Sequence, residues 1–129
     1  MPSELMWLSW SIVLGLVHVL VAAAMGTSQR GLKWNVGNRD GISKPLTGMA
    51  ARAERANRNF LETFAFFAAA ALTVVLAHKS AASSVLGAQV YFWARVAYLP
   101  IYLVGIPYLR TLAWAASLWG ILQLIEALL

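Results

Sequence analysis

Apolar residues in this chain fall into four long blocks, separated by one long polar connection and two short ones. A membrane-crossing helix needs about 20 predominantly apolar residues. The blocks therefore predict spans over about 5–25, 50–77, 85–104 and 108–129. The predicted fold class is all-α: an integral membrane four-helix bundle in one domain, 1–129, with no internal repeat. The first block has Glu4 as its only early charge and an apolar run too long for a signal peptide, so it is expected to stay as a span. Trp7 and Trp10 suit an interfacial aromatic belt. His18, the one ionisable residue inside that span, is expected to be neutral and hydrogen-bonded to a neighbouring helix.

The connection 26–49 carries turn chemistry at Gly37-Asn38-Arg39-Asp40-Gly41 and is expected to be a solvated loop. His78 falls in a short surface link, and Gly105-Ile106-Pro107 predicts a tight turn. Pro100 should kink the third span.

Composition supports the membrane reading. Of 129 residues, 60% are hydrophobic and 12% charged, where a soluble domain carries about 25% charged residues. The absence of cysteine excludes disulfides, thiolate metal sites and a protein cysteine nucleophile. No metal site is expected. A net charge of +5 could indicate nucleic acid, but seven of the ten cations lie between Arg30 and Arg58, where a topology signal would put them. No nucleic-acid partner is therefore expected, and membrane lipid is. The same asymmetry predicts the loop 26–49 and the adjoining span mouth on the cytoplasmic side, with both termini opposite.

The chemistry concentrates in RAERANRNFLET, Arg52 to Thr63, which opens the second span without a break. Arg55, Asn59 and Glu62 share one helical face. Ionisable groups at membrane depth face a bundle interior or a water-filled cavity, so this column is the candidate ligand site. Arg95, Tyr98 and Tyr102 share a face of the third span, and Arg95 needs a partner, for which Glu62 is the expected one. Arg110 and Thr111 open the fourth span on the same membrane side. Arg30 or Lys33 could fold back over this mouth. Guanidinium forks suit carboxylates, and Glu62 suits an ammonium. The apolar walls suit a second, lipophilic substrate from the bilayer. Such a set could also be only an inter-helix polar network. A transporter is disfavoured, because the charges lie at one mouth.

The run Arg55-Ala56-Asn57-Arg58-Asn59-Phe60-Leu61-Glu62-Thr63 resembles the signature of the membrane-associated proteins in eicosanoid and glutathione metabolism, the MAPEG family. Arg95 with Tyr98 and Tyr102 resembles its third-span motif. Arg110-Thr111 with Trp114 resembles its fourth-span arginine-serine pair. The resemblance implies a homotrimer with glutathione as co-substrate at the protomer interface. It also implies a glutathione S-transferase, with peroxidase activity in some members, acting on lipophilic electrophiles. By resemblance, Arg55, Asn59 and Glu62 would hold the glutathione backbone and amino group, with Arg58 as a further contact. Tyr98 and Tyr102 would meet its carboxylates beside Arg95. Arg30 would reach in from a neighbouring chain. Arg110, with Thr111, would stabilise the thiolate. Similarity to bacterial-type members implies the bacterial inner membrane. Threonine replaces the family's serine, Trp114 stands where some members have tyrosine, and the Tyr102–Arg110 spacing differs by a residue. The alternative is a non-catalytic scaffold, or a lipid- or partner-binding subunit.

Overall fold

A computed structural model describes residues 1–129. It contains five helices and no strand: α1 (Ser3–Arg30), α2 (Leu32–Val36), α3 (Gly48–Leu76), α4 (Ala82–Val104) and α5 (Pro107–Leu128). The four long helices match the four apolar blocks. α1, α3 and α5 are long and apolar enough to cross a membrane. α4 has 23 residues but falls short in composition, because Gln89, Arg95 and its tyrosines dilute the apolar run.

α1 extends five residues beyond the expected span, so the connection is partly helical and does not begin at Gly26. The helix stops at Gly31, whose φ of +92° disfavours a side chain. The rest of the connection is largely exposed, as expected of a solvated loop, and is also pinned by side-chain hydrogen bonds. The Gln29 amide donates to the Thr47 carbonyl at 3.0 Å and accepts from its N–H at 3.0 Å. Arg30 Nε donates to the Lys44 carbonyl at 2.9 Å. Asn35 donates to the Thr27 hydroxyl at 2.6 Å.

Only 25 of the 129 residues are buried, and leucines such as Leu16, Leu20, Leu112 and Leu122 stand exposed along the long helices. An apolar exterior of that extent fits hydrocarbon, where helices associate by packing small residues closely and by polar contacts. Gly87 of α4 and Gly120 of α5 show why small residues are needed. A Cβ on either would lie 2.5 Å from the other's carbonyl oxygen. The core beside this crossing stacks Phe67 on Tyr91 at 4.0 Å, and the Tyr91 hydroxyl pairs with Thr63 at 3.0 Å.

Two contacts define the two ends of the bundle. At one end, buried Glu4 accepts hydrogen bonds from Ser84, at 2.6 Å, and from Ser80, which fastens the start of α1 to the α3–α4 turn. At the other, Arg52 Nε donates to the Leu103 carbonyl at 2.9 Å, satisfying the C-terminus of α4. There the chain turns through Gly105 (φ +89°) into Pro107, the first residue of α5. Pro100 lies inside α4, which stays helical through Val104.

His18 corrects its expectation. Its Nδ1–H donates to the Leu14 carbonyl of its own helix at 3.0 Å, and its ring stacks on Phe60 of α3 at 4.7 Å. The neighbouring helix supplies an aromatic face instead of a hydrogen bond.

Candidate functional site

At the Arg52–Leu103 end, α3, α4 and α5 converge on a cleft of about 350 Å³ lined by Asn59, Tyr98, Tyr102, Arg110, Thr111 and Trp114. A second hollow of about 210 Å³ is lined by Arg55, Arg58, Asn59, Glu62, Tyr98 and Tyr102. The two hollows share Asn59, Tyr98 and Tyr102 and so adjoin. The structure thus brings together the α3 column, the α4 tyrosines and the α5 pair.

Tyr102 is the hub. Its hydroxyl accepts a hydrogen bond from Arg55 Nε at 3.1 Å. The Arg110 guanidinium lies 4.7 Å from its ring centroid and the Arg55 guanidinium 5.8 Å. Tyr98 meets Tyr102 edge-on at 5.4 Å, and both are buried against Ala56 and Leu99. A cation over an aromatic face gains about 0.5–2 kcal/mol, more when desolvated. Tyr102 therefore holds two guanidinium groups at one opening without neutralising either.

Glu62 faces the opening and has no cationic partner; the only ion pair in the chain joins Arg58 to Glu54 at 3.2 Å. This overturns the expected Glu62–Arg95 pair. Arg95 is fully buried, lines neither hollow, and donates through Nη1 to Asn59 Oδ1 at 2.9 Å. Its guanidinium is 4.1 Å from the Tyr98 ring centroid and 5.6 Å from that of Phe60. Aromatic faces and an amide supply what a carboxylate was expected to supply. Thr111 lines the cleft with its hydroxyl donating back to the Pro107 carbonyl at 3.2 Å.

Arg30 lies elsewhere. With Glu54 and Asn57 it lines a third concavity, about 460 Å³, between α1, the 31–47 connection and α3. Asn57 and Glu54 project from the side of α3 away from Arg55, Asn59 and Glu62, as a 3.6-residue period requires. The Asn57 Oδ1 is buried there without a partner. Asn57 and Glu54 belong to the same polar run as the column, and their helical phase was the signal that separates them. No three His, Asp or Glu side chains gather anywhere in the chain as a metal site would need.

A MAPEG family model matches residues 7–129, nearly the whole chain. The chain belongs to the MAPEG family. No curated protein and no solved structure matches it. For this MAPEG protein, the match extends from the α1 aromatics through the last helix and takes in all three clusters around the cleft. Membership supports an integral membrane protein. Members of the family differ in function.

Proposed function

We propose that this chain is a membrane glutathione S-transferase whose cleft holds glutathione and activates its thiolate against lipophilic electrophiles. The observation that carries the reading is the Tyr102 hub, which brings Arg110 of α5 and Arg55 of α3 around one opening. Glutathione has two carboxylates, one ammonium, peptide amides and a thiol. Arg55 and Arg58 offer forks for the carboxylates, Tyr98 and Tyr102 border the same hollow, and unpaired Glu62 suits the ammonium. Arg110 is left for the sulfur. A free thiol has a pKa of about 8.5, and adjacent cations can lower it to about 3.5–7.5. The Thr111 hydroxyl can turn from the Pro107 carbonyl to donate to the same sulfur. The thiolate then forms a carbon–sulfur bond with the electrophile, whose leaving group departs with the electron pair. A hydroperoxide would lose its O–O bond to the same thiolate, giving a sulfenic acid and, after protonation, an alcohol. A second glutathione thiol would then displace water from the sulfenic acid to form the disulfide.

The reading includes a four-span protomer, with α4 crossing beside α5. It also includes a homotrimer, in which the Arg30–Asn57 face of one copy closes the cleft of the next. The two concavities lie on different sides of α3, as a ring of identical copies needs. The cationic end would face the cytoplasm of a bacterial inner membrane.

The test is conjugation of glutathione to a chlorodinitrobenzene by the purified protein in detergent, for wild type and Arg110→Ala. Turnover in the wild type that is lost in the variant supports the reading. Glutathione binding without turnover on any of a panel of electrophiles would favour the scaffold instead.

A further inference from the structure

Resting on the glutathione reading, we infer that Arg95 is a positioning residue that fixes the Asn59 amide, so that position 59 recognises only a hydrogen-bond acceptor on the ligand. Arginine is donor-only, with no acceptor anywhere on its guanidinium. The group facing Arg95 Nη1 at 2.9 Å must therefore be the carbonyl oxygen of Asn59. The Asn59 NH₂ is then the part of the amide left for the cleft, and Asn59 is the residue common to both hollows that bonds to Arg95.

Arg95 has little freedom to release the amide. It is fully buried, and its guanidinium lies against Tyr98 and Phe60. Its Nε and Nη2 find no other acceptor. Asn59 Oδ1 is thus the one side-chain acceptor the buried cation has, and turning the amide over would set NH₂ against guanidinium. A ligand carbonyl or carboxylate fits what position 59 presents, and the glutathione ammonium does not. Glu62, one turn along the same face, takes the ammonium. The arrangement gives the tripeptide a direction in the cleft.

Asn59→Asp separates the two orientations by sign. Aspartate keeps an oxygen toward Arg95 and replaces the cleft-facing NH₂ with an oxygen. Calorimetry should show glutathione binding weakened about tenfold or more, because an acceptor now meets an acceptor. Tighter binding by Asn59→Asp would overturn the inference, since it would mean that position 59 serves the ammonium. A second arm needs no ligand. The melting temperature of Asn59→Asp should hold while Arg95 is present and fall in the Arg95→Met background, where the carboxylate loses its cation. Equal melting in both backgrounds would overturn the contact itself. A wild type that binds no glutathione, with the melting coupling intact, would sink the glutathione reading while leaving the amide orientation in place.

Discussion

Tyr102→Phe splits the two duties of the hub. The substitution keeps the ring that lies 4.7 Å beneath Arg110 and deletes the hydroxyl that holds Arg55 at 3.1 Å. A hydrogen bond to a charged group contributes about 1.5–3 kcal/mol when buried. Arg55 is exposed at the opening, so solvent screening reduces that to about 1 kcal/mol. Each 1.4 kcal/mol is tenfold in affinity, so glutathione should bind about fivefold more weakly to the variant. The thiolate titration of bound glutathione should not move, because Arg110 keeps its aromatic seat. Tyr102→Leu removes the seat as well. It forfeits a further 0.5–2 kcal/mol or so of cation–π attraction and should raise the pKa of the bound thiol toward its free value. Calorimetry gives the affinities and ultraviolet thiolate absorbance gives the titration. If Tyr102→Phe shifted the titration and left affinity unchanged, the hub's two duties would be wrongly assigned.

Other substitutions probe the rest of the structure. Glu62→Gln should fold normally, since Glu62 pairs with nothing in the chain. It should weaken glutathione about tenfold, as expected for a charged hydrogen bond, and leave an N-acetylated analogue, which lacks the ammonium, unaffected. Gly120→Ala should lower the melting temperature by several degrees, because its Cβ would lie 2.5 Å from the Gly87 carbonyl oxygen and overpacking costs about 1–3 kcal/mol. Glu4→Ala removes the acceptor for Ser80 and Ser84 at the far end of the bundle. It should lower stability by about 1–2 kcal/mol and leave glutathione affinity at the wild-type value, as paired melting and calorimetry would register.

The four long helices were legible because each apolar block is long and carries few charges to interrupt it, although only α1, α3 and α5 have the composition of a span. The clustering of Arg55, Asn59 and Glu62 followed from helical phase alone. Arg95 shows where such inference stops. Charge complementarity favoured Glu62, but a guanidinium can also be held by aromatic faces and one amide, and no spacing rule distinguishes these. The end of α1 was missed for a related reason. Gly26, Thr27 and Ser28 are poor helix formers, yet the helix continues while Gln29 clasps Thr47 eighteen residues away. That contact leaves no periodic trace. The Glu4 clasp depends likewise on the bundle bringing Ser80 and Ser84 to the start of α1. Arg30 was legible as a site residue but not as one on a separate face, which appears only when α1 and α3 are packed.

The most direct test of the central claim is a thiolate titration of glutathione bound to the purified protein, followed by ultraviolet absorbance as pH rises, for wild type and Arg110→Ala. The wild type should give a saturable thiolate signal well below the free-thiol pKa of about 8.5, lost in the variant. A wild-type titration at the free-thiol value, or one unchanged by Arg110→Ala, would contradict the claim.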